Sequence, residues 1–228
     1  MPSESAGQPS RDRLAVELSL NSGMRIDEVT NLRTWQILDF AATSGTDYSV
    51  HLMAITKTKG LKARHVEVPH WLLKELLAYI DRERNHAISA GRKYGLKKDT
   101  AALFVNGVSA RQNAGKRFTA DSLDDVFRRA TVSAGLVRTI EKMDPVTGEP
   151  YLVQHPRFSF HCLRHSFAIW RYYAERQGGN PEPWKIIQSL LGHRALSTTT
   201  DLYLRATSVF EAQVSDEVLR FFGAIRNA

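Results

Sequence analysis

Hydrophobic residues recur at helical spacing along most of the chain. In residues 71–84, Leu72, Leu73, Leu76, Leu77 and Ile80 fall on one side, which predicts an amphipathic helix. The same reasoning predicts helices over residues 14–21, 25–32, 122–134, 184–191 and 208–226, together with a short helix around Tyr203. Gly23, Gly135 and Gly192 follow three of these segments and are expected to end them.

A different pattern, with alternating or β-branched residues, marks the expected strands. Residues 35–40, 48–56 and 63–68 predict a small antiparallel sheet, with residues 57–62 forming a basic hairpin tip. Residues 137–157 surround a strong turn signal, Asp144-Pro145-Val146-Thr147-Gly148, and predict a hairpin-like insertion. Residues 87–100 are expected to be a basic loop. The predicted fold is therefore mainly α with a small antiparallel β-sheet, an α+β class.

Composition narrows the possible partners. The 228 residues carry a net charge of +7, which favours a polyanionic partner, nucleic acid first. One cysteine excludes a disulfide framework and a cysteine-based zinc site. No apolar run reaches the ~18 residues that a membrane helix needs, so we expect a cytoplasmic protein with no membrane association. Residues 1–13 are polar and are expected to be a disordered lead-in or linker, ahead of one domain over residues 14–228.

The segment with the clearest chemistry is the predicted helix that begins near Ser159, a candidate N-cap. His161, Arg164 and His165 stand at i, i+3 and i+4 and so share one face. Another face carries large apolar residues expected to be buried, namely Phe160, Leu163, Phe167 and Trp170. Two imidazoles and a guanidinium at one place suit an oxyanion such as phosphate. A core helix with a solvated basic edge is the alternative that the motif alone leaves open.

Several separated motifs, taken in order, resolve this choice. They are Arg25 with Glu28, the run Lys59-Gly60-Leu61-Lys62-Ala63-Arg64, the His161 to His165 segment, Leu191-Gly192-His193, and Tyr203. In this order they resemble the catalytic domain of the tyrosine recombinases, the phage integrase family. The resemblance runs from about residue 14 to residue 225. It also implies that the DNA-clamping domain that usually precedes the catalytic domain is absent here.

The resemblance implies a role for each matched residue. Arg25 and Arg164 would hold the scissile phosphate, with Glu28 and His165 in support. His161 and His193 would add hydrogen bonds or carry a proton, and Tyr203 would be the nucleophile. Lys59 would protonate the leaving oxygen, although Lys57 is a second candidate for that role. The basic residues of the hairpin expected to reach the DNA backbone are Lys57, Lys62 and Arg64.

The implied activity is site-specific DNA recombination or integration through a 3′-phosphotyrosine intermediate. It would need no metal, ATP or other cofactor, because the arginines stabilise charge and the covalent intermediate conserves the phosphoester bond. The implied partners are double-stranded DNA recombination sites and three further copies of the chain. The apolar stripe of residues 208–226 would dock on a neighbouring copy in this homotetramer, or would pack on its own domain.

Three other functions are compatible with parts of the pattern. A type IB topoisomerase would use the same chemistry to relax one duplex, and a catalytically weak DNA-binding module would keep only the basic surface. A metal-dependent nuclease could be built on His155, His161, His165 and His193, but these histidines have no acidic partner nearby in the sequence.

Overall fold

The computed structural model describes residues 10–55 and 63–192. The chain divides into two compact units, Met1–Phe167 and Ala168–Ala228. The described helices and strands, in chain order, are α1 (Arg11–Ser22), α2 (Ile26–Asn31), α3 (Thr34–Leu38), β1 (Val50–Ile55), β2 (Arg64–Pro69), α4 (His70–Tyr79), α5 (Asn85–Lys93), α6 (Ala120–Ser133), β3 (Val137–Met143), β4 (Pro150–Pro156), α7 (His161–Gln177) and α8 (Pro183–Leu191). This is the α+β class that the sequence predicts.

A main hydrophobic core organises the first unit, beside a smaller cluster of Ala87, Ile88 and Val105. Helices α1, α2 and α4, strands β1 and β2 and the segment after α5 all contribute fully buried side chains, among them Leu14, Leu18, Val29, Leu72 and Phe104. Burying a side chain of this size stabilises a fold by roughly 1.5–3 kcal/mol. Within the core, the Tyr79 hydroxyl accepts a hydrogen bond from the backbone N–H of Val105 at 3.3 Å.

Helix α1 begins earlier than predicted. Ser10 is its N-cap, with the hydroxyl accepting from the backbone N–H of Arg13, so residues 11–13 are helical rather than part of a disordered lead-in. The helix ends where predicted, because Gly23 adopts a left-handed conformation with φ 67° and its N–H bonds the Ser19 carbonyl.

The strand predicted over residues 35–40 is wrong, because Thr34–Leu38 forms the short helix α3. Gln36 explains the difference. Its side chain accepts from the Arg33 backbone N–H at 2.9 Å and donates to the Ala54 carbonyl of β1 at 2.8 Å. Ile37 is buried, whereas Trp35 and Leu38 stay exposed. A tertiary contact made by one polar residue therefore overrides the strand propensity of its apolar neighbours.

The remaining two predicted strands pair as an antiparallel hairpin, with Val50 opposite Pro69 and Ile55 opposite Arg64. Met53 and Ile55 form the buried face of β1, and Val66 and Val68 are buried on β2. This sheet has two strands in the described part of the chain rather than the three that we predicted.

The prediction of a basic loop over residues 87–100 is also wrong at its start, because Asn85–Lys93 forms helix α5. A π-helical turn at Ile80–Arg84 joins α5 to α4. Helix α5 continues through Gly91, which packs closely against a distant backbone segment. A Cβ at that position would lie 2.3 Å from the Ala114 carbonyl oxygen, so only glycine allows the helix to pass so close to that backbone.

The hairpin-like insertion is confirmed. Strands β3 and β4 are antiparallel, with Ile140 opposite Val153, and they are joined through the turn that contains Gly148. Asp144 organises this turn by accepting hydrogen bonds from the backbone N–H groups of Val146 and Thr147.

The helices that follow the insertion end where the sequence predicts. Helix α7 begins at His161, two positions after the candidate N-cap Ser159, and ends at Gln177, before Gly178 and Gly179. Helix α8 starts at Pro183 and ends at Leu191, with Gly192 as its C-cap at φ 66°. The prediction that Trp170 is buried is wrong, because that side chain is 55% exposed. In the second unit, Tyr172 stacks on Trp184 with ring centroids 4.3 Å apart.

Candidate active site

The turn between α1 and α2 supplies the first arginine. Arg25 is the N-cap of α2, and its backbone N–H donates to Glu28 Oε2 at 2.8 Å. The Arg25 guanidinium contacts Glu28 Oε1 through Nη1 at 3.4 Å and remains partly exposed. The start of α2 thus holds Arg25 by its backbone and leaves its guanidinium accessible.

The second arginine, Arg164, is almost completely buried, with 1% of its surface exposed. It lies on the first turn of α7, and its Nη1 donates a hydrogen bond to the Gly23 carbonyl, two residues before Arg25. A buried guanidinium is tolerated only when its N–H groups are satisfied, so this bond secures α7 against the turn between α1 and α2. Residues 141 positions apart in sequence therefore meet at one place.

A carboxylate and a third arginine complete the charged cluster. Glu28 is buried, and its Oε2 also accepts from Arg64 Nη2 at 2.6 Å. Burial lowers the pKa of the Arg64 guanidinium, the Glu28 carboxylate opposes that effect, and the positive charge of Arg25 adds to it. The Arg64 side chain, which we predicted to reach the DNA backbone, is only 7% exposed and is engaged by Glu28.

His161 and His165 lie one turn apart on α7, with ring centroids 4.6 Å apart and planes nearly perpendicular. Partial desolvation by the surrounding protein, followed by the positive charges of Arg164 and Arg25, lowers the pKa of His161. Partial burial, then the charges of His161 and Arg164, lowers the pKa of His165 to about 4. At neutral pH both imidazoles are therefore uncharged, and each can accept a proton or a hydrogen bond.

Gly23, which accepts the hydrogen bond from Arg164, precedes Arg25 by two residues, so both arginines lie at the same turn. His161 lies one helical turn before Arg164 on α7. The arrangement combines a partly exposed guanidinium from Arg25, a buried guanidinium from Arg164 and the neutral, solvent-exposed imidazole of His161. Such a group can bind a tetrahedral oxyanion and stabilise further negative charge that develops on it.

The other predicted site residues lie outside the described residues. These are Lys57, Lys59, Lys62, His193 and Tyr203. The apolar stripe of residues 208–226 also lies outside the described residues. The structure thus brings together Arg25, Glu28, His161, Arg164 and His165 of the predicted set.

His155, proposed as part of a metal-dependent nuclease, lies on β4, and its Nδ1 contacts the carbonyl of the adjacent Pro156. Among residues 10–55 and 63–192, no three His, Cys, Asp or Glu side chains converge as metal ligands would. Within the same ranges, no helix is both long and apolar enough to cross a bilayer.

The role of Arg64 inside the cluster was missed by the sequence analysis. A signal was available, because Arg64, Val66 and Val68 alternate along β2 and all three are buried. A cation that shares the period of a buried strand face needs a buried counter-charge. The sequence does not show that the partner is Glu28, since α2 and β2 meet only in the folded protein.

The phage integrase family profile matches residues 2–208, and the chain belongs to this family. The chain is 30% identical over 207 residues to tyrosine recombinase XerC of Chlamydia muridarum, covering 91% of this chain and 50% of the relative. It is 29% identical over 198 residues to tyrosine recombinase XerA of Pyrococcus furiosus, covering 87% of this chain and 51% of that protein. A solved structure, described as the crystal structure of XerA recombinase, matches with a TM-score of 0.47 and 21% identity over 87% of this chain and 62% of its own. The chain spans about half the length of the curated relatives it matches.

Proposed function

We propose that the protein cleaves and rejoins DNA strands at specific sites, through a covalent bond between Tyr203 and a 3′ phosphate. The observation that carries this proposal is the convergence of Arg25, Arg164 and His161 from separate parts of the first unit. Family membership and the net charge of +7 agree with a DNA substrate. The proposed setting is the cytoplasm.

In the proposed reaction, the Tyr203 phenol oxygen attacks the scissile phosphorus in line with the 5′ bridging oxygen. The phenol proton passes to a neutral imidazole, of His161 or His193, as the new P–O bond forms. The P–O bond to the 5′ oxygen breaks, and that oxygen takes a proton from Lys59, or from Lys57 if the hairpin is aligned differently. Arg25 and Arg164 stabilise the negative charge on the non-bridging oxygens.

Rejoining reverses these steps. A 5′ hydroxyl of a second strand attacks the phosphotyrosine, its proton returns to the lysine, and Tyr203 is released. The number of phosphoester bonds is unchanged, so the reaction requires no ATP. Two rounds of exchange between two duplexes would pass through a Holliday junction held by four copies of the chain.

The proposal can be tested with a pool of labelled, nicked DNA duplexes. The sequence around the nick is randomised, so the target sequence need not be known in advance. The full chain is incubated with the pool in the presence of a chelator, and protein–DNA adducts are separated on a denaturing gel. We expect an adduct with the wild type, none with Tyr203→Phe, and a phosphopeptide that contains Tyr203 after digestion. Adduct formation by Tyr203→Phe at the wild-type yield would refute the nucleophile assignment.

A further inference from the structure

Glu28 contacts two arginines unequally. Its Oε2 lies 2.6 Å from Arg64 Nη2 and 2.8 Å from the Arg25 backbone nitrogen, whereas its Oε1 lies 3.4 Å from Arg25 Nη1. Coulombic attraction rises as distance and local dielectric fall, and both partners of the short contact are nearly completely buried. The carboxylate is therefore matched mainly by Arg64, while Arg25 makes the longer and more solvated contact.

This asymmetry matters because an oxyanion site needs net positive charge. A carboxylate beside a phosphate-binding arginine fixes the orientation of that arginine but also opposes its charge. With Arg64 present, two guanidiniums share one carboxylate and a net positive charge remains. Without Arg64, Glu28 and Arg25 would form a neutral pair, and an incoming phosphate would meet a competing anion.

We propose that Arg64 is a positioning residue that neutralises Glu28, so that Glu28 can hold Arg25 in place without cancelling the charge that Arg25 offers to a phosphate. Arg64 is too buried to bind the substrate itself and acts through Glu28 and Arg25. The inference rests on the proposed function where it concerns DNA cleavage. The binding of a simple oxyanion by the same cluster does not depend on that function.

The test uses four variants of the full chain: Arg64→Gln, Arg64→Lys, Glu28→Gln and the double variant Arg64→Gln/Glu28→Gln. Two readouts are compared, the Kd for inorganic phosphate and the rate of adduct formation at saturating concentrations of the duplex selected from the randomised pool. Circular dichroism at the assay temperature confirms that each variant is folded.

We expect Arg64→Gln to weaken phosphate binding roughly tenfold, because Glu28 would then pair with Arg25 alone and cancel its charge. The adduct rate should fall on the order of 10²-fold, as when one electrostatic contact to a transition state is lost. Arg64→Lys retains the charge and should keep most of both properties. The double variant should recover most of the loss, because a glutamine at position 28 can still accept from the Arg25 backbone and carries no charge.

Arg84→Gln is the matched control for the loss of a buried arginine. Arg84 is 8% exposed and donates to the backbone carbonyls of Ala102 and Thr100 rather than to a carboxylate. We expect this variant to lower stability and to leave phosphate affinity and the saturated rate nearly unchanged.

The outcomes separate the possible failures. If Arg64→Lys is as impaired as Arg64→Gln, or if the double variant recovers nothing, neutralisation of Glu28 is not the role of Arg64. If the wild type forms no adduct but phosphate affinity follows the expected order, the inference about Arg64 stands and the proposed DNA cleavage fails. If adducts form and phosphate affinity is the same in all variants, the inference about Arg64 is overturned alone.

Discussion

Acidification should destabilise the fold through His165, which packs against His161 on the first turns of α7. Partial burial, and then the charges of His161 and Arg164, lowers the pKa of His165 from 6.5 to about 4. The unfolded chain therefore binds more protons than the folded protein between pH 6.5 and about 4. The stability that depends on neutral His165 is complete above pH 6.5 and is lost progressively as the pH falls toward 4.

The size of this effect follows from the two pKa values. A fall from 6.5 to about 4 corresponds to roughly 3 kcal/mol at about 1.4 kcal/mol per pH unit. Roughly 2 kcal/mol of this would be lost by about pH 5. The imidazole is only partly buried, so solvent screening reduces the effect, and we expect about 1 kcal/mol between about pH 8 and pH 5.

Urea unfolding at these two pH values, followed by tryptophan fluorescence, measures the loss. The wild type should lose about 1 kcal/mol more than His165→Gln, which cannot titrate at this position. His86→Gln, at an exposed histidine of α5, is the control and should show the wild-type pH dependence. If His165→Gln loses as much stability on acidification as the wild type, the assignment of this proton to His165 is wrong.

Three further predictions concern the reaction and the framework around it. Lys59→Ala should slow cleavage of ordinary DNA but not of DNA with a 5′-bridging sulfur, because a thiolate leaves without needing a proton. If Lys57→Ala shows this pattern instead, Lys57 is the general acid. Tyr79→Phe should lower the free energy of unfolding by about 1–2 kcal/mol in urea titrations, because a buried backbone N–H loses its acceptor. Gly23→Ala should lower the free energy of unfolding by about 1–2 kcal/mol, because alanine is strained at φ 67°. The control Gly107→Ala, at φ −67° with open space around it, should change the free energy of unfolding by less than about 0.5 kcal/mol in the same titrations.

Local signals in the sequence correctly predicted several helix ends, one helix start and one turn. Gly23 and Gly192 end helices in left-handed conformations, Pro183 starts one, and Gly148 lies in the predicted turn between β3 and β4. These signals work because each depends on the backbone preference of one residue and not on the rest of the fold. The segments that were predicted wrongly, α3 and the start of α5, depend instead on distant contacts made by Gln36 and Gly91.

In the candidate site, too, the features set by local sequence were predicted and those set by distant contacts were not. Helical spacing alone placed His161, Arg164 and His165 on one face, and the first turn of α7 has that arrangement. The pairing of Glu28 with Arg64 joins a helix to a strand 36 positions away, and no local pattern encodes such a pair. The alternation of Arg64 with two valines along β2 indicates that Arg64 is buried, but it does not identify the partner, and Arg64 was predicted to contact DNA together with the other cations of the hairpin.

One short turn accounts for much of the geometry around the two arginines. Gly23 ends α1 with a positive φ that other residues rarely adopt, and Arg25 caps α2 two residues later. The Gly23 carbonyl accepts the hydrogen bond from Arg164, so the same backbone segment locates both guanidiniums. Positions fixed by a backbone turn and by a buried hydrogen bond need little reorganisation when a substrate binds. Preorganised charge of this kind stabilises a transition state more effectively than the same charges on mobile side chains would.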